Sequence, residues 1–152
     1  MRAAESRLRW AATSEDLQKA LRVREQVFCR EQGVPREVEI DGCDETALHL
    51  VAVEPEGERV IGTLRLLLGG GVAKVGRVAV ERDWRRRGIA SRMLDLALAR
   101  ARERGCQQAL LASQLDATGL YERAGFAVES DPFEEAGIAH VWMGRRLTPD
   151  DR

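Results

Sequence analysis

Residues 74–105, KVGRVAVERDWRRRGIASRMLDLALARARERG, constrain the fold of this chain more than any other stretch. Residues 74–80 are rich in β-branched side chains, as a strand is, and after Arg85-Arg86-Arg87-Gly88 the spacing changes to that of a helix. Ile89, Ala90, Met93, Leu94, Ala97, Leu98 and Ala101 recur at helical steps and give one apolar side, while Arg92, Asp95, Arg102 and Glu103 are left for solvent. Gly105 supplies the stop, because the left-handed residue that ends a helix is cheapest as glycine. A strand, a tight basic turn and a helix therefore follow one another.

The flanking segments supply a sheet. Residues 8–12 read as a first strand, and Thr13 or Ser14 before Glu15 and Asp16 is a helix N-cap with acids in the first turn. Leu17, Ala20, Leu21, Val23, Arg24, Val27 and Phe28 keep helical spacing, with an end expected near Gly33-Val34-Pro35. Residues 36–46, REVEIDGCDET, have no sustained period and read as a loop or a poorly formed second helix. Their acids are either a solvated face or one wall of a substrate cleft. Residues 47–54 and 60–68 are strands joined by the turn Pro55-Glu56-Gly57-Glu58, and Gly69-Gly70-Gly71 turns the chain into the strand 74–80.

Three strands linked in this way are antiparallel neighbours. Residues 107–113 return after the long helix, so they are expected parallel to 74–80 through a right-handed crossover. A short helix over roughly 116–124 stops at Gly125, Phe126 opens a further strand, and 139–147 closes the sheet. The expected fold class is mixed α/β, a sheet flanked by helices, in a single domain over 1–147 with a tail at 148–152.

Composition removes several classes of function. The 152 residues suit one domain with a sizeable core, and 25 acids against 24 bases leave no global charge to draw in nucleic acid or a membrane. Cys29, Cys43 and Cys106 lack a Cys-x-x-Cys spacing and neither His lies near them in sequence, so no metal is expected and the thiols read as idle in a reducing compartment. The start, MRAAESRLRW, has no apolar core of a signal peptide, and no apolar run approaches the roughly 20 residues of a membrane span. A cytoplasmic protein is the expectation.

The chemistry lies at the basic turn. The first turn of a helix leaves backbone N–H groups without partners and carries about half a positive charge, which attracts phosphate. Gly88 and Ala90 let a ligand approach the main chain, and Arg85, Arg86 and Arg87 add cationic donors. The spacing is neither that of a P-loop nor that of a Gly-x-Gly-x-x-Gly dinucleotide turn.

Arg-x-x-Gly-x-Ala after a Val-rich strand resembles the acyl-CoA pyrophosphate loop of the GNAT superfamily of N-acetyltransferases. Leu120-Tyr121-Glu122-Arg123-Ala124-Gly125-Phe126 resembles that family's Leu/Phe-Tyr-x-x-x-Gly-Phe. Phe28-x-x-Glu31-Gln32-Gly33-Val34-Pro35, Asp44 with His49-Leu50, and Phe133-x-Glu135-x-Gly137-Ile138-x-His140 look like its bacterial ElaA-like and YjcF-like branch. The likeness runs from about residue 21 to residue 147, and the order of elements is also that of the GNAT fold, in which a parallel pair of strands splays around the cofactor.

The resemblance implies transfer of an acetyl group from acetyl-CoA to a primary amine, by direct attack through a tetrahedral intermediate. It implies that Val78, Ala79 and Val80 pair with the pantetheine arm, that Arg85, Arg86, Arg87, Gly88, Ile89, Ala90 and Ser91 surround the pyrophosphate, and that Tyr121 protonates the departing thiol. Many members carry Asn seven residues before the Tyr, where this chain has Gln114, an amide on a longer arm. No general base declares itself among Glu39, Asp41, His49 and His140. Glu39 and Asp41 are candidates for attracting a cationic acceptor, a small molecule or a peptide, and a homodimer is left open. Two other classes compete: a non-catalytic acyl-CoA sensor, against which Tyr121 speaks, and a nucleic-acid binder, against which the balanced charge speaks.

Overall fold

A computed structural model describes residues 5–147. It is an eight-stranded sheet in the order β1 (Arg7–Trp10), β2 (Leu48–Val53), β3 (Val60–Gly69), β4 (Val72–Val80), β5 (Gln108–Gln114), β8 (Ile138–Arg146), β6 (Ala127–Val128), with β7 (Phe133–Glu135) paired to β8. The meander is built as its turns dictate: β1 (Arg7–Trp10) and β2 (Leu48–Val53) lie beside β3 (Val60–Gly69) and β4 (Val72–Val80), all antiparallel. The β3–β4 turn needs positive φ at both central residues, and Gly70 and Gly71 supply it at 60° and 76°.

Helix α3 (Ile89–Glu103) carries the chain across one face to β5 (Gln108–Gln114), which runs parallel to β4. Ile89, Met93, Leu94, Ala97, Leu98 and Ala101 are buried against Leu50, Ala52, Ile61 and Leu64, as the apolar stripe requires. Each of the larger ones, Ile89, Met93, Leu94 and Leu98, contributes about 1.5–3 kcal/mol on removal from water, so α3 is the main clamp on that face. Helix α1 (Ser14–Arg24) is capped by Thr13, whose hydroxyl accepts from Asp16 N–H at 3.1 Å, and it covers the other face. Its Ala20 and Val23 meet Val51, Val53, Val60 and Ala79, the alternate residues of the same strands.

The structure departs from the sequence reading at the first helix and at the last strands, and sharpens it in between. The first helix does not stay α-helical to Gly33: Glu25–Glu31 is π-helical, with Gln32 N–H bonded to Val27 O five residues back at 3.2 Å. The acidic stretch holds a single turn, α2 (Arg36–Glu39), and a 3₁₀ turn at Asp44–Thr46. Helix α4 spans Thr118–Arg123, with residues 115–117 in a 3₁₀ turn before it. The last strand, β8 (Ile138–Arg146), does not close the sheet but lies inside it, between β5 and the two-residue β6 (Ala127–Val128). It also pairs with β7 (Phe133–Glu135), which the sequence reading lacked. The expected tail falls outside the described residues.

The site depends on how β4 and β5 part. They pair only at Val72↔Gln108, Ala73↔Ala109 and Lys74↔Leu110, and beyond Lys74 the β5-facing edge of β4 has no strand beside it. Two causes act together. The β3–β4 register shifts between Thr63 and Arg65, a bulge centred on Arg77 at φ 50°, and β5 follows β8 instead, from Gln108↔Arg146 to Gln114↔His140.

Candidate active site

The gap between β4 and β5 opens into a cavity of about 730 Å³ that passes through the sheet. Tyr121 and Leu120 of α4 line it from the α3 face, and Arg77, Trp142 and Val38 line it from the opposite face.

One mouth lies at the N-terminus of α3. Gly88 takes the N-cap position at φ 79°, and no side chain caps the first turn, so its N–H groups stay open. A Cβ on Gly88 would meet nothing within 4 Å, and Gly88 itself lines the cavity. Ile89, Ala90 and Ser91 line the cavity beside it. The three arginines divide their work. Arg85 donates from Nε to Val80 O at 2.8 Å and reaches both carboxylate oxygens of Glu31 at 2.9 and 3.0 Å, tying the loop to the π-helical segment. Arg87 lies outside the cavity lining, its guanidinium 4.8 Å from the centroid of the Trp84 ring and donating to Asp83 O at 3.1 Å. Arg86, at φ 64°, lines the cavity and is the member of the trio left for a ligand.

From that mouth the open edge of β4, with Val78, Ala79 and Val80, leads inward. An unpaired strand edge offers backbone donors and acceptors to an extended ligand. Gln114, at the end of β5 across the gap, also lines the cavity and donates from Nε2 to Gln32 Oε1 at 2.9 Å. Tyr121 is buried, 8% exposed, with its ring edge-on to Phe126 at 6.2 Å. Burial pushes its phenol up to about 12, so the hydroxyl keeps its proton throughout the neutral range.

The other mouth differs from expectation. Glu39 and Asp41 line it, but neither is a free acid. Arg24, wholly buried, donates from Nε to Glu39 Oε1 at 2.5 Å and from Nη1 to Asp44 at 2.7 Å. Arg65 holds Asp41 through two bonds of 2.8 Å and also reaches Asp44 at 3.2 Å, while Arg77 donates to Glu39 O and meets Asp41 at 3.3 Å. Three arginines interleave with three carboxylates, and the group is neutral. The Arg65 hydrogen bonds hold the Asp41 carboxyl well below the usual carboxylate range. Arg24 and Arg65 were not singled out from the sequence, although an arginine inside an apolar stripe, and another between Leu64 and Leu66 of a strand, were the available signals.

Across from these ion pairs stands a row of rings. Phe133 stacks on Trp142 at 5.5 Å and on His140 at 6.0 Å, and Lys74 Nζ lies 5.3 Å from the Trp142 centroid. His140 Nδ1 is 2.7 Å from Ile138 O. A carbonyl only accepts, so Nδ1 carries the proton and Nε2 of the neutral ring has a free lone pair, with Glu135 3.8 Å away. His49 instead donates from Nε2 to Asp44 O at 2.9 Å, away from the cavity. Among the described residues the three cysteines are free, no His/Cys/Asp/Glu group could hold a metal, and no helix is long and apolar enough to cross a membrane.

A chain built this way has relatives. The Bacillus subtilis protein YjcF, called an uncharacterized N-acetyltransferase, is 33% identical over 88% of this chain and 94% of its own length. The crystal structure of an acyl-CoA N-acyltransferase from Pseudomonas aeruginosa superposes with a TM-score of 0.80 at 28% identity, over 91% of this chain and 99% of the other. Escherichia coli ElaA shares the fold, with a TM-score of 0.82 at 22% identity over 92% and 99% of the two chains. Residues 12–147 match the model of the acetyltransferase (GNAT) domain, a span that takes in both mouths of the cavity and the strands between them, and the chain therefore belongs to the GNAT acetyltransferase family.

Proposed function

We propose that the protein moves an acetyl group from acetyl-CoA to a primary amine, without a covalent enzyme intermediate. The observation that carries this is the cavity through the sheet, with an uncapped helix N-terminus at one mouth and a buried, protonated Tyr121 in its wall. The pyrophosphate would lie at the N–H groups of α3 with Arg86, the pantetheine arm along Val78, Ala79 and Val80, and the thioester where β4 and β5 part.

A thioester is already activated, so the chain has only to align, polarise and move protons. Backbone N–H on the open edge of β4 is the donor for the oxyanion. His140 Nε2 takes the proton that the amine loses as its nitrogen bonds to the carbonyl carbon. Tyr121 gives its proton to the sulfur as the C–S bond breaks, and water restores it. A phenol held near 12 is a weaker acid than an ordinary thiol, so the transfer is uphill on its own and runs in concert with C–S cleavage, with water reprotonating the phenolate. Arg85, through Glu31 and Val80, positions the loop and does not itself need to touch phosphate.

The experiment is a thermal melt with and without acetyl-CoA, followed by a screen of amines read as release of CoA thiol, with enzyme-free and acceptor-free controls. A ligand bound at 100 times its Kd stabilises the fold by about 2.7 kcal/mol. No shift at millimolar acetyl-CoA rejects the assignment. A shift without amine-dependent thiol release favours the reading as a non-catalytic acyl-CoA sensor.

A further inference from the structure

The acceptor mouth has a chemical character of its own, and the substrate class it defines rests on the transferase reading. Glu39, Asp41 and Asp44 are matched one for one by Arg24, Arg65 and Arg77, so that wall presents no net negative charge to a polyamine. Of the lining charges outside this group, Lys74 and Glu135 flank the row of rings. Lys74 has no carboxylate partner among the described residues and sits over the Trp142 ring at one end of the aromatic row. Glu135 lies at the other end, 3.8 Å from His140 Nε2. Between them Trp142 lines the cavity, with Phe133 stacked on it from outside the lining, and Val38 and Leu67 continue the apolar lining.

The register gives the direction. His140 is opposite Gln114, at the end of β5 that leads into α4 and Tyr121, whereas Lys74 pairs with Leu110 at the start of that strand. Trp142 is opposite Ala112, between the two levels. Two strand residues span about 7 Å, so a molecule with its nitrogen at His140 and its body on Trp142 places its far end within reach of the Lys74 ammonium. The geometry points to an acceptor that is an amine on an aromatic or branched apolar body ending in a carboxylate: His140 and Glu135 receive the amine, Trp142, Val38 and Leu67 hold the body, and Lys74 pairs with the carboxylate. The reaction consumes one such amine and one acetyl-CoA and yields the N-acetyl acid and free CoA.

The test uses three amines with acetyl-CoA: 4-(aminomethyl)benzoate, which holds the two groups at opposite ends of one ring; benzylamine, the same body without the carboxylate; and spermidine. For the unaltered protein, kcat/KM with 4-(aminomethyl)benzoate should exceed that with benzylamine by about tenfold or more, the usual size of a hydrogen bond to a charged group. Lys74→Met should bring the ratio to within about threefold of one, and Trp142→Leu should raise KM for both ring amines together. Acetyl-CoA affinity, measured by calorimetry on every variant, reports the intact cofactor side. Equal use of the two ring amines, or preference for spermidine, overturns the acceptor assignment and leaves the transferase standing. If acetyl-CoA binds but no amine turns over, calorimetric binding of the same amines to the CoA complex decides, and absence of a preference for the carboxylate overturns it. If acetyl-CoA fails to bind, the transferase reading falls, and the acceptor assignment with it.

Discussion

Tyr121→Phe isolates one oxygen atom. The ring stays, with its edge-on contact to Phe126 at 6.2 Å, and so does most of the buried surface. Burial raises the phenol from 10.0 to about 12, which disfavours the phenolate by about 2.7 kcal/mol relative to water. The hydroxyl therefore stays protonated in the resting site, available as a donor, and deleting it leaves no buried charge behind. Folding stability should change by less than about 1 kcal/mol, the net worth of a single ordinary hydrogen bond. The rate should change far more. Positioned proton transfer is typically worth about 10²- to 10⁴-fold, with water as a poor substitute acid setting a floor of about tenfold. Steady-state kinetics with a saturating amine, single-turnover measurements to establish that chemistry limits, and calorimetric titration with acetyl-CoA separate the alternatives. A kcat unchanged while chemistry limits would refute the assignment, and Tyr121 would then be a packing residue. Loss of affinity and melting temperature together with rate would make it structural.

Gly88→Val should weaken CoA binding by about tenfold or more while lowering stability by only about 1–3 kcal/mol, since the new side chain enters the open mouth and the backbone there is left-handed; titration and melting on the same sample check this. Arg24→Met leaves Glu39 and Asp44 without their buried partner and should cost about 3–5 kcal/mol in urea unfolding, more than any exposed arginine on α3. Asp41 has its folded pKa depressed by Arg65, so its contribution is present above the unfolded value of about 3.9 and is lost as pH falls through the folded one. Melting curves between about pH 5 and 2 should therefore fall less steeply for Asp41→Asn than for the unaltered chain, and equal slopes would remove Asp41 from the acid transition.

The α3 face was legible because its periodicity is local: Met93, Leu94, Ala97, Leu98 and Ala101 announce one buried side whatever lies beneath. The mouth at the start of α3 was legible for the same reason, since Gly88 and the residues that open the helix are consecutive. The opposite mouth is assembled from separated segments, and its acids could be read either as a solvated face or as a cleft wall because the arginines that neutralise them come from α1, β3 and β4. Pairing of that kind leaves no trace in local spacing. β7 escaped because its partner Ile138–Arg146 is pinned by β5 as well, and three residues against an inner strand need little propensity of their own. Arg85 and Arg87 looked equivalent to Arg86 in sequence, and only backbone direction told them apart.

The π-helical segment Glu25–Glu31 sets a phase. Before it, Val23 faces the sheet; within and after it, Phe28 lines the cavity and Glu31 meets Arg85. An α-helix advances by about 100° per residue, so removing any single residue between these two stations would let ordinary hydrogen bonding resume and swing Glu31 away from the loop. The helix can thus vary its letters in this stretch far more freely than its length, and a one-residue deletion would uncouple the phosphate loop without touching a side chain that lines it.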